Sequence, residues 1–244
     1  SNLVIRNIFG QVGDDLVAIN AYDWINSSVS FGPVDHVLCE HLRPSEGGYR
    51  AMRILTGMYR YDDGSEIDCS ICNMIVRDVK DTDVFKLYLQ TPGYFIGSEP
   101  EWGQIGSGEN LYFEDMDIDL RQPADMMEPY LNSDPVRGNF AAFEINANLK
   151  NLHFRNISMT LHKDQYPLSW FATVGPKSVL SPNGHETFDP YFSSQVDGIY
   201  FSNITVNGQT VSDLKDYIKE VRFEDVNSDG RSSGAGTAKN ILPQ

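Results

Sequence analysis

Leu152-His153-Phe154-Arg155-Asn156-Ile157 is a phrase that the chain repeats. Leu3-Val4-Ile5-Arg6-Asn7-Ile8, Ile71-Cys72-Asn73-Met74-Ile75-Val76, Leu111-Tyr112-Phe113-Glu114-Asp115-Met116, Ile199-Tyr200-Phe201-Ser202-Asn203-Ile204 and Val221-Arg222-Phe223-Glu224-Asp225-Val226 resemble it. Most are short alternating strands interrupted by a polar turn residue, usually Asn or Asp. A second kind of strand lies between them, at 15–20, 51–56, 84–90, 141–146 and 169–174. Strand, polar bend, strand and loop, repeated without helical periodicity, predict a parallel β-solenoid. One coil cannot bury its own apolar face, whereas stacked coils share a continuous core with ladders of like residues.

Alternation assigns directions within each coil. Phe85, Leu87 and Leu89 are expected inward and Lys86, Tyr88 and Gln90 outward; Phe143, Ile145 and Phe154 are expected in the core and Glu144 outside. Asn7, Asn73, Asn156 and Asn203 are expected near stacked bends. The competing all-β reading is a hairpin sandwich, which needs Asn-Gly or Asp-Gly turns joining strands of matched length. Such dipeptides occur at 63–64, 183–184, 197–198, 207–208 and 229–230, but few stand between two such strands. The fold class is therefore all-β, a single-stranded right-handed parallel β-helix, with earlier N-terminal coils expected upstream because the chain opens directly into a strand. Coils are expected over residues 1–228 and a Gly/Ser-rich tail over 229–244, lying over the last coil or loosely ordered. Long loops at 91–110, 122–139 and 175–195 would wall a cleft on one side. Residues 211–218 have room for one short helical turn.

The 244 residues carry 34 acidic against 19 basic side chains, a formal net charge of −15. Without a basic cluster to neutralise phosphates, nucleic acid is excluded as a partner. No run is long and apolar enough to span a membrane as a helix. Cys39, Cys69 and Cys72 form no disulfide framework, and Cys69-Ser70-Ile71-Cys72 lacks the second ligand pair that a zinc site requires. Asp225-Val226-Asn227-Ser228-Asp229-Gly230 opens like a calcium loop but has Gly236 at its twelfth position, so it reads as a turn. No cofactor or metal is called for, and a monomer is expected.

Chemistry concentrates in Gly13-Asp14-Asp15-Leu16-Val17-Ala18-Ile19-Asn20. Neighbouring strand side chains point to opposite faces, so two adjacent Asp can share one site only where the backbone bends, and Gly13 permits a bend. The plain alternative is a turn in which Asp caps its own backbone. Given the repeat pattern, this motif resembles that of the polygalacturonase family of pectin-degrading glycoside hydrolases. That family folds as a right-handed parallel β-helix and carries Gly-Asp-Asp followed by a strand like Val17-Ala18-Ile19. The resemblance implies that Asp14 is the general acid, that Asp15 helps activate the water, and that the protein is secreted, periplasmic or at the cell surface. The family's third Asp would fall upstream of Ser1. Its His-Gly motif has no counterpart here, and Arg53-Ile54-Leu55 approximates its Arg-Ile-Lys without the Lys.

Stacking successive second strands predicts one outward strip of Asp15, Arg53, Lys86 and Glu144, at ~4.8 Å per coil. A carboxylate pair flanked by cations suits an acidic sugar, with Arg50, Arg53, Lys86, Tyr88 and Glu144 as substrate-binding residues. A solvated charge ladder is the alternative for Arg53 and Lys86. Trp24, Trp102 and Trp170, with Tyr49, Tyr88 and Tyr94, would supply stacking rings or core. The expected partner is a polysaccharide or oligosaccharide and the expected reaction is inverting hydrolysis. A non-catalytic carbohydrate-binding or adhesin-like solenoid and a polysaccharide lyase are the alternatives.

Overall fold

The structure, a computed structural model, describes residues 2–12, 15–22, 32–45, 50–60, 63–80, 87–90, 94–96, 99–101, 106–121, 140–175, 179–180, 186–187, 193–221 and 235–244. Two parallel sheets grow in sequence order. The larger contains Leu3–Gly10, Val34–Pro44, Ile71–Val79, Ser107–Leu120, Asn148–Leu161 and Ser194–Val206, each paired in parallel with the one before. The smaller stacks Asp15–Asn20, Arg50–Leu55, Leu87–Gln90, Phe140–Asn146, Ser169–Val174 and Ile218–Glu220 in the same way. Each passage of the chain thus adds one strand to each sheet and forms one tier. The antiparallel pairs among the described residues are short local hairpins, such as Gly57–Arg60 with Glu66–Cys69, not the halves of a sandwich.

Two columns of left-handed residues divide the larger sheet into three faces. His36, Asn73, Asn110, Asn151, Gly198 and Asn240 occupy the first column, with φ between 51° and 82° for the group formed by these and their counterparts. Asn7, His41, Asp78, Asp115, Asn156 and Asn203 occupy the second, five residues further on in each strand. A left-handed L-residue costs ~1–2 kcal/mol, a penalty that Asn and Asp tolerate best because their short polar side chains bond locally. Here they bond vertically. Asn151 Nδ2 donates to Asn110 Oδ1 at 3.1 Å, Asn110 Nδ2 to Asn73 Oδ1 at 3.0 Å, and Asn73 Nδ2 to Asp35 Oδ1 at 2.8 Å. In the second column Asn203 donates to Asn156 at 3.0 Å and Asn156 to Asp115 at 2.8 Å. Asn7, Asn156 and Asn203 therefore share a bend as expected, whereas Asn73 belongs to the other column and its tier supplies Asp78 instead.

Between the bends, alternation points apolar ladders inward: Val37, Met74, Leu111, Leu152 and Ile199 in one, and Leu42, Val79, Met116, Ile157 and Ile204 in another. The sheets are joined by an aromatic cluster. Phe143 lies 4.7 Å from Phe154 and 5.1 Å from Phe171 between ring centroids, and Phe113 lies 5.3 Å from Phe143. All four rings are fully or almost fully buried, each stabilising the fold by roughly 1.5–3 kcal/mol through desolvation alone. Phe143, Ile145 and Phe154 thus occupy the core as expected; Leu87 and Leu89 hold the matching register positions, and Phe85 lies outside the described residues.

The expected tail is partly another rung. Gly236–Pro243 pairs in parallel with Ser194–Val206, and a Cβ at Gly236 would fall 1.8 Å from the carbonyl oxygen of Val174, so the strand enters the stack where only glycine fits. The expected helical turn is a 3-10 helix at Leu214–Tyr217, capped by Asp213, which accepts from the Lys215 amide at 2.9 Å.

The bend ladders yield a quantitative expectation. Asn110→Val places a β-branched residue at φ 57° and removes both vertical bonds, so urea unfolding should show a loss of ~2–4 kcal/mol. Asn110→Gly removes the bonds but relieves the backbone, and should cost clearly less. Equal losses would show that the left-handed geometry is not what Asn110 serves.

Candidate functional site

The outer face of the smaller sheet is shaped by a bend in each strand. Leu16 and Val17 both pack on the core, as do Ala51 and Met52, Ala142 and Phe143, and Phe171 and Ala172. Adjacent residues of a regular strand cannot share a face, so each strand turns at this column. The columns align, because Asp15 pairs with Arg50 and Val17 with Met52, while Ala141 pairs with Trp170 and Phe143 with Ala172. The bend leaves both the residue before it and the second residue after it on the outer side. Asp15 and Ala18 therefore share the outer face despite their odd separation, as do Trp170 and Thr173.

That geometry brings Asp15 to Arg53. Arg53 Nε lies 2.9 Å from Asp15 Oδ2, with side-chain exposures of 17% and 5%. A charge buried to this degree requires a partner, and Arg53 supplies a counter-charge. The register corrects the expected strip. Arg53 aligns with Ala18 on one side and Tyr88 on the other, and the row continues through Glu144, Thr173 and Lys219. Asp15 stands in the preceding row opposite Arg50 and reaches Arg53 through its side chain. Arg53 and Glu144 share a row, but Tyr88 occupies the intervening position that the expected strip gave to Lys86. Asp14 and Lys86 lie outside the described residues, as do the side chains of Arg50 and Tyr88.

Burial corrects a second expectation. Glu144 is 5% exposed and Thr173 9%, so this part of the row is covered, whereas Ala18 at one end is exposed and Arg53 and Lys219 are half-buried. Asp15 and Glu144 also stand three strand spacings apart in different rows, ~14 Å or more between backbones. Glu144 thus stands well removed from Asp15, and the neighbouring carboxyl in the chain is Asp14.

Two features had no clear signal in the sequence. Lys163 Nζ lies 4.3 Å over the Trp170 ring at the far end of the Asp15 row, and also donates to the carbonyl of Ser169. Burial lowers the Lys163 pKa below that of an ordinary lysine. On the larger sheet, Arg6, Glu40, Arg77, Glu114 and Arg155 form one outward row of alternating charge. Arg6 and Arg77 both clasp Glu40, at 3.0 and 2.6 Å, and Arg155 holds Glu114 at 2.9 Å. The hydrogen bonds from Arg77 hold the Glu40 carboxyl below its usual range. Cys39 and Cys69 are buried, and burial pushes the Cys39 thiol up to about 12. Among the described residues, no group of three or more His, Cys, Asp or Glu side chains is arranged to hold a metal ion, and no helix is long and apolar enough to cross a membrane.

Comparison with known proteins yields no match: no family model, no curated protein and no solved structure resembles the chain significantly.

The Asp15–Arg53 pair has a measurable signature. Arg53→Leu should cost ~3–5 kcal/mol in urea unfolding, because it removes the counter-charge of a buried carboxylate, and adding Asp15→Asn should restore most of the loss. A loss below ~1 kcal/mol would place the pair among ordinary surface ion pairs.

Proposed function

We propose that the stacked sheets form a right-handed parallel β-helix and that the protein is a carbohydrate-active enzyme, an inverting glycoside hydrolase of the polygalacturonase type. Its substrate is a pectic or other acidic polysaccharide, and a secreted, periplasmic or cell-surface location accords with such a polymer. The reading is supported above all by the Asp15–Arg53 pair. It stands on the outer face of a parallel solenoid sheet, immediately after Asp14, in a motif resembling the acid pair of that family.

In this reading Asp14 protonates the glycosidic oxygen and Asp15, oriented by Arg53, accepts a proton from the attacking water. Arg53 then acts as a positioning residue, which replaces the expectation that it binds a sugar carboxylate directly. Contacts to the acidic polymer fall to Arg50, Lys86 and Tyr88, with Trp170 and its covering Lys163 at the far end of the outer face. Glu144, buried in the row it shares with Arg53 and Thr173, is withdrawn as a contact to the polymer. The alternative of a non-catalytic carbohydrate-binding solenoid is favoured by one observation: the described carboxylates of this face are nearly buried.

One assay separates these readings. Incubation with polygalacturonate should generate reducing ends without the ultraviolet absorbance of an unsaturated elimination product. Asp14→Asn should lower turnover by ~10²–10⁴-fold while leaving polymer binding and the melting temperature nearly unchanged. An unsaturated product would make the protein a lyase, and binding without either product would make it a binding module.

A further inference from the structure

A groove of about 490 Å³ runs across four tiers of the larger sheet, on the face before the first bend column, away from Asp15 and Arg53. Two polar rows floor it. Ser70, Ser107, Asn148 and Gln195 are register neighbours, and two residues further along the same strands stand Cys72, Glu109, Lys150 and Asp197. Asp68, from the hairpin strand Glu66–Cys69, lines it as well. The floor therefore extends over three strand spacings, ~14 Å, with rows ~7 Å apart.

The groups in this groove differ from those on the adjacent face of the same strands. Glu114 and Arg155 join at 2.9 Å, yet Glu109 and Lys150, five residues earlier in the same two strands and also register neighbours, form no ion pair. Among the described residues, Asp68, Glu109 and Lys150 have no ionic or hydrogen-bonding side-chain partner. Asn148 accepts the Gln195 amide through Oδ1 at 3.0 Å, and its Nδ2 donors remain available. Asp197 accepts from Asn240 at 2.6 Å through one carboxylate oxygen. The result is a concave shelf of hydroxyl, amide and carboxylate groups, repeated at the tier spacing, in which Asp68, Glu109 and Lys150 and the Nδ2 donors of Asn148 are not bonded to the other groups of the shelf.

We infer that this groove binds a short, uncharged, polyhydroxylated chain, a neutral oligosaccharide lying along the stack. Carboxylates at Asp68, Glu109 and Asp197 accept from sugar hydroxyls, while Asn148, Gln195 and Lys150 donate to them. Three carboxylates outnumber the ammonium groups of Lys150 and, at the edge of the groove on Gln195 Oε1 at 3.4 Å, Lys239, so an acidic chain is disfavoured here. This site is independent of the proposed hydrolytic one.

Isothermal titration tests it with xylohexaose, cellohexaose and a β-1,4-galactan hexasaccharide as neutral probes and hexagalacturonate as the acidic one. At least one neutral hexasaccharide should bind; the double variant Glu109→Ala/Asn148→Ala should weaken it tenfold or more, and Asp14→Asn should not change it. Both groove side chains are exposed, and an unaltered melting temperature confirms that the double variant folds. Absence of binding by every neutral probe, or neutral binding that the groove variant leaves intact, would overturn the inference. Tighter binding of hexagalacturonate at this groove would do the same.

Discussion

Vertical register is the constraint on which this protein depends. A parallel tier has no hairpin to set its alignment with the next, so alignment must come from the stack itself. The left-handed columns supply it: an Asn that slipped by one residue would lose its bonds above and below and place a strained backbone where no side chain compensates. The apolar ladders reinforce the same alignment, because a slip by one residue would turn Leu111, Phe113 and Met116 outward. Bends and core therefore select one register, and every outward row follows from it.

Those rows are used differently. Between the two bends, Arg6, Glu40, Arg77, Glu114 and Arg155 engage one another and stabilise the surface. Beside them Tyr112, His153 and Tyr200 stack ring on ring, at 4.3 and 4.8 Å. Burial lowers the His153 pKa, which accords with a ring enclosed between two others. On the smaller sheet the backbone bend converts a local clash of directions into a shared face for Asp15 and Arg53. Before the first bend column the polar rows are only partly committed, with Asn148 and Asp197 bonded through one oxygen each. One stacking rule thus produces an electrostatic clasp, an aromatic ladder, a buried ion pair and an open polar shelf, according to which residues occupy equivalent positions.

Much of the architecture was legible because repetition is a sequence property. The recurrence of Leu152-His153-Phe154-Arg155-Asn156-Ile157 located five strands of the larger sheet, its sixth instance lying beyond Val221 outside the described residues, and alternation placed Phe143, Ile145 and Phe154 correctly in the core. Exact alignment was not legible, because intervening segments of unequal length hide the tier count. Asn73 looked equivalent to Asn156 in the repeated phrase but aligns with Asn151, since one polar residue in an apolar run does not reveal which of two bends it serves. The smaller-sheet strip failed for a related reason. Strict alternation cannot describe a strand in which Leu16 and Val17 both face inward, and so it misplaced Asp15 relative to Arg53. The strand at Gly236–Pro243 was obscured by composition, because glycine needed for close packing resembles glycine in a flexible tail.

The central functional claim is that an acidic glycan lies along the outer face of the smaller sheet beside Asp14 and Asp15. Titrating isotope-labelled Asp14→Asn protein with hexagalacturonate and following backbone amide resonances tests this directly, because it reports place without requiring turnover. The account predicts saturable shifts concentrated at residues 15–20, 50–55 and 87–90, with little change at the outward rows of the larger sheet. Shifts confined to the larger sheet, or none at saturating ligand, would contradict it.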